Sequence, residues 1–140
     1  MNINGFKSKD SHARLYQFLA RWEKYAQEND NSEVSLIDAF PKLRVIKNQL
    51  KLFKSQHATI EKKKAVVEDG SFWMSDGKTI AHFIKHVRNS IAHCYISKSN
   101  GYVTIIDYRC NNNRTERKIS CFGRIGETAF NQIVDAIIAD

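Results

Sequence analysis

The chain has 140 residues, of which 42% are hydrophobic and 26% charged, which is the balance of a soluble globular protein. No stretch is apolar for long enough to cross a bilayer, and the N-terminus lacks the apolar core of a secretory signal. The formal net charge is +7. The length favours one domain over residues 1–140, and the composition favours a cytoplasmic protein without membrane contacts.

The first predicted element is a helix from about Ser11 to Glu28, and a polar connection follows it. Its apolar side chains recur at helical spacing and are Leu15, Phe18, Leu19, Trp22 and Ala26. Because this spacing puts them on one side of a helix, they are its predicted buried face.

A second helix is predicted from about Ser35 into the fifties or sixties, either beginning near Phe40 or kinked at Pro41. Beyond the proline, an apolar stripe consists of Leu43, Ile46, Leu50 and Phe53. A basic stripe, shifted by one residue, consists of Arg44, Lys47, Lys51 and Lys54. The apolar stripe is expected to pack on other helices, and the basic stripe to face solvent or a partner. Residues 57–70 are compatible with a continuation that ends near Gly70.

The net positive charge of the chain comes from this region. Residues 39–64 contain eight basic side chains and one acidic one, a balance equal to the whole net charge of +7. A localised basic stripe is typical of a protein that binds a polyanion such as RNA. An ordinary solvated helix face is the alternative interpretation.

A third helix is predicted from about Lys78 to Ile96, after a loop at residues 71–78. Its predicted buried stripe consists of Ile80, Ile84, Val87 and Ile91, flanked by Cys94 and Tyr95. An opposite, exposed polar stripe consists of His82, His86, Asn89 and His93, with Arg88 on its flank.

This polar stripe contains the residue types that cleavage of RNA through its own 2′-hydroxyl requires. A histidine exposed to water exchanges protons near neutral pH, and an asparagine four residues away can orient it. Arg88 can hold a phosphate with two parallel hydrogen bonds. A plain polar helix face is one alternative. Half a zinc site at His82 and His86 is another, although no carboxylate or cysteine completes it on that face. The sequence therefore predicts no metal and no cofactor.

The last third of the chain alternates between strand and helix patterns. Residues 101–110 and 114–122 are rich in β-branched and aromatic side chains, and the asparagines at 111–113 join them as a predicted β-hairpin. Residues 127–140 form a short amphipathic helix. Together the elements predict a mainly α fold, a compact helical bundle of about four to five helices with a β-hairpin inserted before the C-terminal helix.

The cysteine content favours free thiols. Cys94, Cys110 and Cys121 are an odd number and have no CxxC spacing, which is typical of reduced thiols in a cytosolic protein. A disulfide between Cys110 and Cys121 across the hairpin is the less favoured alternative.

The hexapeptide RNSIAH, residues 88–93, resembles the signature of HEPN domains, in which an arginine and a polar residue precede a histidine by a few positions. A motif helix followed by a strand pair and a closing helix is most similar to the small stand-alone HEPN proteins of bacteria and their plasmids called pEK499 p136-like. The likeness covers about residues 78–140, and the first two helices share only the architecture.

The resemblance implies a metal-independent endoribonuclease that acts in toxin–antitoxin, anti-phage or RNA-processing systems, with an antitoxin or defence protein as a possible partner. It implies that Arg88 and His93 are the catalytic pair and that Asn89 orients them. On an ideal helix Arg88 and His93 are about 140° apart, so the site is expected to combine two protomers of a homodimer. The predicted RNA contacts are Arg44, Lys47, Lys51, Lys54, Lys85, His82 and His86. The alternative is a non-catalytic module of the same family that binds nucleic acid or a nucleotide, or that forms an interaction surface in a larger defence complex.

Overall fold

The computed structural model describes residues 3–30, 32–110 and 116–139, and these form six helices and one five-stranded sheet. The helices are α1 (Lys9–Glu28), α2 (Glu33–Ala39), α3 (Leu43–Lys47), α4 (His57–Lys63), α5 (Ile80–Ala92) and α6 (Glu127–Ile138). The strands are β1 (Lys51–Lys54), β2 (Ser71–Met74), β3 (Ser97–Ser99), β4 (Tyr102–Cys110) and β5 (Arg117–Gly126). The fold is therefore α/β, and the prediction of a mainly α helical bundle is wrong.

The sheet is mixed and has the order β1-β2-β5-β4-β3. β1 and β2 are parallel, and the other neighbours are antiparallel. The predicted hairpin is confirmed as β4 and β5, while the asparagines at 111–113 lie outside the described residues. β5 pairs with both β2 and β4, so it joins the two halves of the sheet.

The predicted long second helix does not form, because its middle belongs to the sheet. After α3 the chain turns at Asn48 and Gln49, and β1 then pairs with β2, beginning with a 2.9 Å hydrogen bond from the Lys51 amide to the Gly70 carbonyl. The apolar spacing of this segment fits a helix, but the parallel pairing satisfies the backbone groups of residues 51–54 instead. Residues 71–74, predicted as loop, form the partner strand β2.

One face of the sheet is covered by α5 and α6, and α1 packs on both of these helices. The main core lies between the three helices and the sheet. Its largest fully buried side chains include Phe18, Phe72, Phe83 and Phe130. The predicted helices α1 and α6 are confirmed, with Ser8 rather than Ser11 as the cap of α1. The buried side chains of α1 are Leu15, Phe18, Trp22 and Tyr25, and Tyr25 takes the place that was predicted for Ala26.

The opposite face of the sheet is covered in part by α4. Ile60 of this helix is fully buried against Ile119 and Phe122 of β5. The partly buried side chains packed around them are Val67, Trp73, Ile106 and Tyr108. The two faces are therefore packed by different helices, and the second face leaves several aromatic rings near the surface.

The three cysteines have free thiols, and the hairpin does not place any two of them opposite each other. Cys94 and Cys110 are exposed, while Cys121 is buried. Cys110 pairs with Arg117 across the hairpin, and Cys121 pairs with Asp107. Within the described ranges no helix combines the length and the apolar character that a membrane crossing requires.

Candidate functional site

Helix α5 contains the predicted active-site motif, and its buried side is as predicted. The Thr79 hydroxyl caps its first turn by accepting a hydrogen bond from the His82 amide. The predicted stripe of Ile80, Ile84, Val87 and Ile91 is fully buried. The helix ends at Ala92 rather than near Ile96, because Cys94 has a left-handed backbone with φ 59°. Cys94, predicted to flank the buried stripe, is exposed.

His86 departs most from the predicted exposed stripe, since it is only 3% exposed. Its Nδ1 lies 2.8 Å from Oδ2 of Asp107 in β4, and its Nε2 lies 2.7 Å from Oδ1 of Asp76 in the segment after β2. The prediction that His86 is exposed is wrong because β4 and this segment cover the side of α5 that the helical wheel assigns to solvent. Sequence reasoning missed both carboxylates as partners of the motif helix.

The three side chains form a hydrogen-bonded triad. Burial disfavours the imidazolium, but the carboxylates of Asp107 and Asp76 outweigh this effect and raise the pKa of His86. Burial also opposes ionisation of Asp76, yet hydrogen bonds from His86 and Lys85 hold the pKa of that carboxyl well below its usual range. The ring therefore lies between two carboxylates that favour its protonated form, and Asp76 forms a further ion pair with Lys85.

The triad continues into the predicted catalytic residues through Asn89. The Asn89 amide donates to Oδ2 of Asp107 over 3.1 Å, and its Oδ1 accepts from Nη1 of Arg88 over 3.0 Å. Nε of Arg88 in turn donates to Oε1 of Glu23 in α1 over 2.7 Å. This polar network joins α1, α5, β4 and the segment after β2, so Arg88 and Asn89 have structural partners whatever else they do.

His93 does not join this network. It is the exposed C-terminal cap of α5, and its ring lies 5.7 Å from the ring of Tyr95. Within the described part of the chain, no hydrogen bond connects its imidazole to Arg88 or Asn89. One protomer thus brings Arg88 and Asn89 together and leaves His93 apart, so the predicted composite site in a homodimer stays a prediction.

A cleft of about 380 Å³ lies between α1 and α5 beside the Arg88–Asn89 pair. Its lining residues are Trp22, Glu23, Tyr25, Ala26, Asn29, Asp30, Lys85, Arg88 and Asn89. The walls contain two cationic and two acidic side chains. The Tyr25 hydroxyl is buried there with no hydrogen-bond partner among the described residues. The charges of the cleft walls are therefore near balance, and Arg88 lies at one of these walls.

The predicted RNA-contact residues do not share one surface. Arg44 and Lys47 lie in α3, whereas Lys51 and Lys54 lie in β1. The prediction of one continuous basic helix face is therefore wrong. Lys47 forms an ion pair with Glu33, and the Lys51 ammonium lies 3.6 Å from a Glu68 carboxylate oxygen.

The other three predicted RNA contacts lie on α5 and have different partners. Nδ1 of His82 lies 2.7 Å from the Thr79 hydroxyl, Lys85 is paired with Asp76, and His86 is buried. The two histidines of the zinc alternative are therefore engaged separately. Among residues 3–30, 32–110 and 116–139, no group of three or more His, Cys, Asp or Glu is placed to hold a metal ion.

The sheet edge contains a feature that sequence reasoning missed. Phe53 of β1 is 38% exposed, and its ring stacks on Trp73 of β2 with centroids 4.4 Å apart and planes inclined by 20°. The Lys63 ammonium lies 4.8 Å from the Trp73 ring centroid. We call Phe53, Trp73, Lys51 and Lys63 the Phe53–Trp73 surface. The signal was the run of strand-favouring residues 71–74 between Gly70 and Ser75.

No family model, no curated protein and no solved structure matches this chain. The likeness to HEPN domains therefore depends on residues 88–93 and their sequence context.

Proposed function

We propose that this protein binds RNA through the Phe53–Trp73 surface. The observation that carries the proposal is the stacked pair of Phe53 and Trp73, half-exposed at the sheet edge and surrounded by lysines. Proteins hold unpaired nucleotides by stacking bases on such rings, while lysines contact the phosphates. Phe53 is too exposed to contribute much to the core, and its ring is accessible for stacking on a base.

The charge distribution supports the same surface. The eight basic side chains of residues 39–64 all lie in α3, β1 and α4 or next to them, and the rest of the chain sums to zero. The exposed lysines Lys62 and Lys64 lie at the end of α4, beside Lys63. Helix α3, with Arg44 and Lys47, packs against α6 on the other face of the sheet. The lysines at the end of α4 lie on the same face as Trp73, and they attract a polyanion to that face.

The test is RNA affinity measured by fluorescence anisotropy at several salt concentrations. We expect Phe53→Leu to weaken binding by about 1–3 kcal/mol, since leucine keeps the apolar volume but cannot stack on a base. Lys63→Gln should lower the slope of affinity against salt by about one ion. Lys9→Gln, which removes the same charge from α1, is the matched control. Unchanged affinity in a folded Phe53→Leu protein would rule out the surface.

A second candidate function is metal-independent RNA cleavage at Arg88, Asn89 and His93. The observation that favours it is the hydrogen-bonded Arg88–Asn89 pair at the wall of the cleft, together with the exposed imidazole of His93. His93 would take the proton of the ribose 2′-hydroxyl, and Arg88 would stabilise the charge on the phosphate. The products would be a 2′,3′-cyclic phosphate and a 5′-hydroxyl.

This second candidate is proposed to act as a homodimer, because Arg88 and His93 are about 140° apart around an ideal helix and Arg88 is hydrogen-bonded to Glu23 and Asn89. RNA incubated in EDTA with wild type, Arg88→Ala and His93→Ala tests the chemistry. Cleavage by the wild type that both substitutions abolish, and that reappears when the two inactive variants are mixed, would support a site shared between protomers. Intact RNA with the wild type would leave RNA binding alone, and cleavage by both variants would assign the activity to other residues. A role in toxin–antitoxin or anti-phage defence would follow only from the first result.

A further inference from the structure

A second group of aromatic rings lies near the end of α5. Tyr95 and Tyr108 meet edge to face with ring centroids 4.9 Å apart. The guanidinium carbon of Arg117 lies 3.9 Å from the Tyr108 ring centroid and 5.8 Å from that of Tyr95. The ring of His93 lies 5.7 Å from that of Tyr95. We call these four residues the Tyr95–Tyr108 cluster.

The cluster lies on the same face of the sheet as the Phe53–Trp73 surface. Phe53, Trp73, Phe122 and Ile106 are aligned across four neighbouring strands, and Tyr108 is two residues further along β4 than Ile106. From normal strand spacing and rise, the Cα atoms of Phe53 and Tyr108 are about 16 Å apart. Because α4 packs on the strands between the two sites, an RNA strand that reaches both passes over this helix and covers more than this distance. The roughly 4 to 16 nucleotides that single-strand-binding domains cover are long enough for such a path.

The exposure and charge of the cluster suit an unpaired base and its phosphate. Tyr95 and Tyr108 are only half-buried, while His93 and Arg117 are exposed. A partly open ring offers a stacking surface, and the cations beside it can donate to a phosphate oxygen. Helix α4 packs on the strands between the two aromatic sites, and its last turn adds Lys62 and Lys63.

We infer that the Tyr95–Tyr108 cluster is a second base-stacking site, and that the two sites together select single-stranded over double-stranded RNA. The inference depends on the proposed RNA binding and adds the substrate class. In a duplex the bases are stacked on one another and are not available to protein rings, so neither site can be used. In this arrangement His93 contacts RNA as a binding residue beside Tyr95.

The test compares an unstructured RNA of about 12 nucleotides, within the site size of single-strand binders, with the same RNA annealed to its complement. Tyr95→Leu removes the ring and keeps most of the bulk, whereas Tyr95→Phe keeps the ring. We expect Tyr95→Leu to bind the single strand at least about fivefold more weakly and Tyr95→Phe to bind it as the wild type does. Tyr16→Leu, at a tyrosine 50% exposed on α1, is the matched control.

A crosslinking experiment gives a direct readout of the site. RNA containing 5-iodouridine, irradiated in complex with the wild type, should attach to Tyr95 or Tyr108, and Tyr95→Leu should reduce that product. Three results would overturn the inference: wild-type affinity in Tyr95→Leu, equal wild-type affinity for single strand and duplex, or crosslinks only at other residues. If Phe53→Leu still weakens binding in those cases, the proposed function stands. A wild type that binds no RNA overturns both.

Discussion

Nδ1 of His86 lies 2.8 Å from Oδ2 of Asp107, and the two side chains are only 4% and 5% exposed. The pair connects the middle of α5 to β4, and Asp76 in the segment after β2 forms a hydrogen bond with the other ring nitrogen of His86. A buried charge is stable only with such partners, so the ionisation of His86 and the packing of the fold depend on each other.

The first prediction concerns stability against pH. The two carboxylates raise the pKa of His86 above 6.5, its value in the unfolded chain, so its protonated form stabilises the fold. This contribution is complete below about pH 6.5 and is lost as the pH rises through the folded-state pKa. The free energy of unfolding, measured in urea, should therefore fall on the alkaline side of neutrality, and His86→Gln should remove that fall.

His93→Gln is the control, because it removes an exposed histidine and leaves the triad intact. It should keep the alkaline fall of the wild type. A wild-type free energy of unfolding that stays constant from about pH 6 to pH 9 would contradict the raised pKa of His86.

The second prediction concerns Asp107. Asp107→Asn removes one of the two charges that stabilise the buried imidazolium, so we expect a loss of about 3–5 kcal/mol in the free energy of unfolding. Asp135→Asn is matched to it, since Asp135 pairs with Arg14 at 2.5 Å but has a side chain 51% exposed. That exposed pair should cost less than about 1 kcal/mol. Similar losses at both positions would mean that burial does not set the strength of the Asp107 contacts.

The third prediction concerns Glu23, the partner of Arg88. Glu23→Gln keeps the shape of the cleft, removes one negative charge and frees the guanidinium. Because both side chains are partly exposed, the stability should fall by less than about 1 kcal/mol. RNA affinity at low salt should rise, and the gain should fade at high salt where charges are screened. Unchanged RNA affinity at low salt would show that RNA does not approach Arg88.

The fourth prediction concerns two glycines of β5. A Cβ at Gly123 would collide with the ring of Phe72 and with the Ser71 carbonyl, whereas one at Gly126 would meet nothing within 4 Å. Gly123→Ala should destabilise the fold by at least about 1–3 kcal/mol, as overpacking of a core does, and Gly126→Ala should be tolerated. Thermal unfolding of the two variants side by side distinguishes them, and a tolerated Gly123→Ala would mean that β2 can move away from β5.

The elements that the sequence predicts correctly are those with local signals. Leu15, Phe18 and Trp22 mark α1 by their spacing, and the isoleucines of α5 mark its buried side. The β4–β5 hairpin is similarly visible, because its two halves are neighbours in the chain. These patterns need no knowledge of distant contacts.

The errors concern contacts between distant parts of the chain. Leu50 and Phe53 continue a helical spacing, yet β1 exists because residues 71–74 pair with it. His86 lies on the polar side of α5, but Asp76 and Asp107 cover that side, and nothing near His86 in the sequence indicates this. The hydrogen bonds of Arg88 to Glu23 and of Asn89 to Asp107 also join distant parts of the chain, so the sequence did not predict them. Two of the three predicted catalytic residues therefore have structural partners.

The central position of β5 has a consequence for synthesis of the protein. The strand between the two halves of the sheet is residues 117–126, the last of the five strands in chain order, and in the described sheet it connects β1–β2 with β3–β4. On the ribosome, these pairs have open edges until β5 emerges, and open edges can pair with other chains. Growing chains of this protein should therefore depend on chaperones until β5 is made, and a version shortened before β5 should aggregate rather than fold.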